Sequence, residues 1–389
     1  MDLSTDFEKV KCAFDLMCDE ESKAIFWDRF KYSTTTDKRY LLDVVSDSLY
    51  YNRNYRNTSN VLLNNLLKKI IRNREDCEIA VWGATDKAMT MVELLYEFGF
   101  LDNPKIDCYY VDNDLSKCDK MFGWHNPRMH MPVYAPSKIK NRTKKVYVLI
   151  AVYTFSNDSM ITEQLKGYGV GDDCIIHSLI GHEYFLGDMY LASGVMHPKN
   201  KDVFVDVGAF DMANTESFIK WNPAFEHVYA FEADPISYKN CLMKNMGDKV
   251  DVFNKGVWSC KSQLSFESAP NGELGGSRIN NNGEELVETV SLDEFLGDKK
   301  IDIIKMDIEG AELEALKGAY NIIKKNKPCL TISVYHKPED IIELPLYVHG
   351  ISKNYKFYLR HHTFGAFDTV MYAVDKNRDM NDVGVKSRF

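Results

Sequence analysis

The stretch from Asp202 to Phe218, DVFVDVGAFDMANTESF, limits the choice of fold more than any other part of this chain. Val203, Phe204, Val205 and Val207 form a short β-branched and aromatic run that predicts a buried strand, and Gly208 ends it. The residues after the glycine read as a helix. A strand, a glycine turn and a helix are how an open α/β sheet offers a ligand bare backbone and a helix N-terminus. An ordinary corner that binds nothing fits these residues, taken alone, equally well.

The rest of the chain repeats this alternation. Residues 1–75 carry helical spacing, in Phe7, Val10, Phe14 and Met17 and again in Leu62, Leu63, Leu66, Leu67, Ile70 and Ile71, around the polar tract Tyr50–Asn60. From Cys77, EIAVWGATDKAMTMVELLYEFG predicts a strand, a turn at Gly83 and a helix ending near Gly99, and IDCYYVDND and KVYVLIAVY supply two more strands. WGATDKA keeps only the first glycine of a G-x-G-x-x-G fingerprint, although Asp112 and Asp114 end the next strand where a ribose-binding acid would sit. This unit resembles the Rossmann-like domains of polysaccharide-synthesis proteins, and a structural or scaffolding role is expected for it. Gly181 to Lys201 reads as the connection onward. The expected organisation is a helical segment (1–75), a Rossmann-like α/β domain (76–190) and a second α/β domain (191–389).

In the second domain HVYAFEADP ends in Glu232, one βα unit after the glycine turn, where a carboxylate can accept hydrogen bonds from vicinal ribose hydroxyls. A short helix is predicted to start near Ser291 or Asp293. The strand through Ile301 to Met306 delivers Asp307, Glu309 and Gly310, and CLTISVYHKPED delivers His336. YKFYLRHH and DTVMYAVD predict a closing hairpin, with alternation turning only one of His361 and His362 inward. These polar groups stand at strand ends, where a ligand crevice forms in an open α/β sheet.

The ordered set DVFVDVGAF, VYAFEADP, GGSRI, TVSLDEFL, IKMDIEGAELEALKGA, SVYHKPEDIIELPLYV and YKFYLRHH, covering about residues 200–375, resembles the FkbM-type methyltransferases. The resemblance implies a seven-stranded Rossmann-like methyltransferase sheet with S-adenosylmethionine over the carboxyl ends of its first strands. It assigns Asp206, Gly208, Ala209, Phe210, Glu232 and Asp307 to the cofactor, with adenine contacts sought around Asn254 to Val257. One departure stands out: Met212 and Ala213 occupy the turn where relatives usually carry a third glycine, so Met212 is expected to narrow or reshape the site.

The implied activity is O-methylation of a hydroxyl on a carbohydrate or carbohydrate-linked small molecule. In-line displacement from a sulfonium needs an aligned oxygen and a group that removes its proton. His336 is the expected general base, with Asp307 and Glu309 orienting it, binding hydroxyls or taking the proton. Arg278, in a glycine-rich lip, and His361 and His362 are the candidate acceptor contacts. The spacing is not a dedicated metal motif, and no metal is expected. Two other readings compete: a scaffold of surface-polysaccharide biosynthesis whose fold has lost activity, and a nucleotide-sugar oxidoreductase using the first α/β unit. A net charge of −9 argues against a nucleic-acid partner. Nine cysteines without a CxxC pair and a polar N-terminus favour a reducing cytoplasm, and the longest apolar run, Val146 to Phe155, is about half a bilayer span.

Overall fold

The computed structural model describes residues 3–37, 40–41, 43–44, 66–70, 75–85, 88–123, 126–152, 155–177, 189–192, 194–267, 278–279, 285–362 and 367–378. The polar tract Tyr50–Asn60 and much of the Gly181–Lys201 connection and the glycine-rich lip lie outside them. The chain divides into two units, one formed by Thr34–Tyr184 with Phe364–Ala366, the other by Met1–Ser33, Phe185–Thr363 and Phe367–Phe389. No helix among the described residues is long and apolar enough to cross a membrane.

The Thr34–Tyr184 unit is built on a six-stranded sheet. Its strands are β1 (Cys77–Trp82), β2 (Ile106–Val111), β3 (Met121–Phe122), β4 (Met131–Tyr134), β5 (Lys145–Ile150) and β6 (Ile175–His177), in the order β3-β4-β2-β1-β5-β6. All pairings are parallel except that of β3 with β4. β1 is buried along its whole length, as expected of a parallel strand covered on both faces. Gly83 takes φ +111°, and a Cβ there would lie 2.5 Å from the Ala151 carbonyl oxygen. The turn therefore requires glycine.

The other unit holds a seven-stranded sheet. β7 (Val203–Val207), β8 (His227–Phe231) and β9 (Val250–Phe253) run parallel on one side, with β14 (Ile303–Met306) and β15 (Cys329–Ser333) parallel on the other. The hairpin of β16 (Tyr355–His361) and β17 (Thr369–Asp375) closes that edge, β17 lying antiparallel to β15. The spatial order β16-β17-β15-β14-β7-β8-β9 places the topological switch between β7 and β14. Ligands bind outside the carboxyl ends of the strands at such a point.

A smaller four-stranded sheet is not apparent in the sequence: β10 (Gly256–Val257), β11 (Ser262–Glu267), β12 (Arg278–Ile279) and β13 (Glu285–Val290). Ser291 caps the helix Leu292–Leu296 by accepting from the Glu294 amide. The described part of the connection, Met189 to Ala192 with Val195 and Met196, packs into the core among Phe204, Phe218, Ile303 and Tyr372.

The helices Leu3–Asp15 and Glu20–Thr35 add to this same sheet edge. Met17 bridges to Phe357, the Leu359 amide donates to the Ser22 hydroxyl, and Arg360 pairs with Asp19 at 2.7 Å. The first residues of the chain thus pack on its last hairpin, because β16 is an edge strand whose backbone groups need partners.

Candidate functional site

The turn after β7 is held by residues that cannot be exchanged freely. Gly208 takes φ +81°, and a Cβ there would stand 2.0 Å from the Asp307 carbonyl oxygen. The Gly208 and Ala209 amides both donate to the Phe231 carbonyl at 3.0 Å, tying the turn to the end of β8. Phe210 and Met212 also adopt positive φ, +50° and +66°. Met212 precedes the helix Ala213–Trp221 and is fully buried with Ala209, Ala230 and Cys241. The expectation that Met212 narrows the ligand side is corrected: its backbone follows the path glycine would take, and its side chain fills the core beneath the turn.

Glu232 stands just past β8 and staples two loops. One carboxylate oxygen accepts from the Phe210 amide at 2.7 Å, the other from the Asp234 amide at 2.8 Å. Burial lifts its pKa above the ordinary value, against the pull of those amides and of the Lys305 charge. Each oxygen of a carboxylate has two lone-pair sites, so capacity for ribose hydroxyls remains. Asn254 donates to the Glu232 and Ala233 carbonyls at 2.9 and 3.0 Å, which fixes the loop after β9 on the same edge. A positive-φ glycine whose Cβ space is closed, two further positive-φ residues and an acid at the next strand end fit a nucleoside-bearing cofactor. Asp206, by contrast, is fully buried below the turn, where it accepts from the Thr215 hydroxyl at 2.7 Å and pairs with Lys305 at 3.1 Å.

Next to this turn lies a histidine–carboxylate cluster. β14 delivers Asp307, whose amide donates to the Val207 carbonyl, and β15 leads into Tyr335 and His336. His336 Nδ1 lies 2.9 Å from Glu312 Oε1, while Nε2 faces Asp307 Oδ1 at 3.4 Å and Glu309 Oε2 at 3.6 Å. Glu312 also accepts from the Ile308 amide at 2.9 Å, which locks the carboxylate that orients the imidazole. Burial by itself would lower the His336 pKa, but the Glu312 hydrogen bond and the charges of Glu312, Asp307 and Glu309 outweigh it and raise it to about 9. Burial would raise Asp307; Lys305, His336, Ser333 and Tyr190 hold it below the ordinary carboxylate range. Tyr335 donates to Asp307 at 3.2 Å. Around the cluster, burial followed by the Glu312 charge pushes Asp340 up to about 7, and burial followed by Asp307 pushes Asp368 to about 6. Asp307, Glu312 and His336 each bring one donor atom within 4.8 Å of the others, so the groups able to hold a proton are also those able to hold a cation.

Other sequence-predicted residues fall elsewhere. Arg278 contributes backbone to β12, and its side chain lies outside the described residues. The alternation expected at His361 and His362 is corrected: both are buried, because His362 lies beyond the end of β16, where the alternation no longer applies. His361 Nδ1 meets the Thr369 hydroxyl at 2.9 Å, and His362 Nε2 meets the Tyr372 hydroxyl at 2.8 Å. Burial, followed by the Arg360 charge, pushes His362 down to about 3. Sequence reasoning missed Glu312 and Lys305. Glu312 sits in the first turn of the helix Glu312–Lys317, five residues after Asp307, and an acid there reads as an ordinary helix-start residue.

Residues 206–359 match the family model for the methyltransferase FkbM domain. Hexuronic acid methyltransferase AglP of Haloferax volcanii is 29% identical over 125 residues, covering 30% of this chain and 52% of AglP. The 2-O-methyltransferase NoeI of Sinorhizobium fredii is 25% identical over 152 residues, covering 33% of this chain and 62% of NoeI. The chain thus spans between half and two thirds of each relative's length. Among solved structures, methyltransferase FkbM from Methylobacillus flagellatus KT aligns over 81% of this chain and 93% of its own, with 18% identity and a TM-score of 0.49. The glycine turn, Glu232 and the His336 cluster all lie inside the residues 206–359 that match that family model.

Proposed function

We propose that this protein is an S-adenosylmethionine-dependent O-methyltransferase acting on a hydroxyl of a carbohydrate or carbohydrate-linked small molecule. The observation that carries the reading is the adjacency, at the switch between β7 and β14, of the Gly208–Glu232 turn and the His336 cluster. Both named relatives are methyltransferases, one of hexuronic acid and one 2-O-specific, which supports a glycan acceptor.

When bound, the cofactor supplies an electrophilic methyl group on a sulfonium leaving group. Glu232 would hold the ribose hydroxyls, the turn through Gly208, Ala209 and Phe210 the methionine end, and Asp307 the side nearest the acceptor. His336 takes the acceptor proton at Nε2, with Glu312 fixing the ring through Nδ1. Asp307 and Glu309 receive the remaining acceptor hydroxyls. Because His336 holds a proton up to about pH 9 in the free protein, it acts as a base only after losing that proton. A cation beside the imidazole favours that loss.

Calorimetry with S-adenosylhomocysteine tests the cofactor assignment: Glu232→Ala should weaken binding sharply, and no binding by the wild type refutes it. Transfer of a labelled methyl group to a glycan extract, abolished by His336→Ala, tests the chemistry. Met212 is the ground for reading the chain as an inactive scaffold, and its burial beneath the turn lends that alternative no support.

A further inference from the structure

A buried cation lies under the glycine turn and has no part in the chemistry above. Lys305 sits in the middle of β14, 1% exposed, and its ladder partner on β7 is Asp206. Directly opposed residues project on one face of a sheet. Lys305 Nζ accordingly lies 3.1 Å from Asp206 Oδ1. It also donates to the Gly208 carbonyl at 2.5 Å and the Val207 carbonyl at 3.3 Å, and stands 5.2 Å from the centre of the Tyr190 ring. Burying an ammonium group is costly unless every proton finds a partner. A methionine or leucine would fill the same space without that cost, so three polar contacts converging on one turn point to a role in the turn itself.

We propose that Lys305 is the positioning residue of the cofactor turn, drawing the Val207 and Gly208 carbonyls toward the sheet and supplying the counter-charge shared by Glu232 and Asp307. The proposal rests on the cofactor reading above for its consequence, not for its geometry. Glu232 faces the Phe210 and Asp234 amides, the Asp234 carboxylate and the Cys241 thiol, and the Lys305 cation acts on it. Asp307 faces Lys305, His336, Ser333, Tyr190 and Tyr335, with Asp368 close enough to feel its charge. Removing the ammonium takes that cation from Glu232 and leaves Asp307 with His336.

The experiment compares wild type, Lys305→Met and Lys305→Arg. Lys305→Met/Asp206→Asn, which removes both charges, carries the test if the single variant does not fold. The amide signals of Phe210 and Asp234, which donate to Glu232, report its titration by NMR without any ligand. Their midpoint should move up in Lys305→Met and stay near the wild-type value in Lys305→Arg. S-adenosylhomocysteine affinity should fall about tenfold at pH 8 in Lys305→Met, and further at a second pH chosen below the Glu232 midpoint measured in that variant. A residue that only fills space would give a uniform loss at both pH values and an unmoved midpoint, and that result overturns the proposal. If the midpoint moves while the wild type binds no S-adenosylhomocysteine, the positioning role stands and the cofactor reading fails.

Discussion

His336 is 7% exposed in its side chain and surrounded by three carboxylates, and its protonation has a measurable effect on stability. Burial works against the imidazolium, but Glu312, Asp307 and Glu309 together lift its pKa from 6.5 to about 9. That interval corresponds to about 3 kcal/mol favouring the charged ring in the folded chain. The folded value is the raised one, so this contribution is fully present below pH 6.5 and is lost as pH rises through about 9. Asp340 and Asp368, raised to about 7 and about 6, have largely ionised by pH 8, so within the interval from pH 6.5 to about 9 the part from pH 8 to 9 reads His336 apart from them. Histidine ring-carbon NMR should show one midpoint near 9 that disappears in His336→Gln and falls back toward 6.5 in Glu312→Gln. The stability difference between wild type and His336→Gln, from denaturant unfolding, should shrink across the same window. If His336 is the base, kcat/KM should climb until about pH 9, since it reports the free enzyme, whereas kcat should level off at lower pH once a cationic ligand sits beside the ring. A wild-type midpoint at or below 6.5, or one indifferent to Glu312→Gln, refutes the reasoning.

Other expectations concern the turn and the N-terminal helices. Gly208→Ala forces a Cβ to within 2.0 Å of the Asp307 carbonyl oxygen at φ +81°, so S-adenosylhomocysteine binding should be lost in calorimetry; left-handed backbone alone costs an alanine about 1–2 kcal/mol. Met212→Ala empties a fully buried position and should cost about 2–5 kcal/mol in denaturant unfolding, with cofactor affinity changed by less than about twofold. A large gain in affinity would put the Met212 side chain back on the ligand side. Arg360→Ala removes the Asp19 pair and should cost about 1 kcal/mol, with faster hydrogen exchange across the helix Glu20–Thr35; unchanged exchange would mean that the Ser22 and Met17 contacts suffice.

Much of the sheet is legible in the sequence because its signals are local. The runs before Gly83 and Gly208 are strands for the reason their sequences suggest, β-branched and aromatic residues buried on both faces, and β16 and β17 pair as the closing hairpin. The four-stranded sheet is not legible because SQLSFE and ELVETV pair across a long glycine- and asparagine-rich insertion, and such pairing leaves no short-range turn signal. The packing of the helix Glu20–Thr35 on β16 cannot be read either. It joins residues more than 330 positions apart, and helical periodicity announces a buried face without naming what covers it.

The candidate site divides along the same line. Gly208, Glu232, Asp307 and His336 stand out because each ends a strand, and a strand end is a local event. Glu312 and Lys305 do not, because what matters about them is which carboxylate or carbonyl lies across a ladder or a helical turn. Lys305 in IDIIKMD reads as an interruption of an apolar strand until the β7–β14 register sets it opposite Asp206. The misplacement of Met212 has the same origin. A turn side chain is expected to face the ligand, whereas φ +66° keeps the glycine-like path of the backbone and turns the thioether into the core with Cys241. Residue types at strand ends therefore point to the kind of chemistry, and burial, worked against by the charges behind them, Lys305 on one side and Glu312 on the other, sets the protonation states in which that chemistry has to operate.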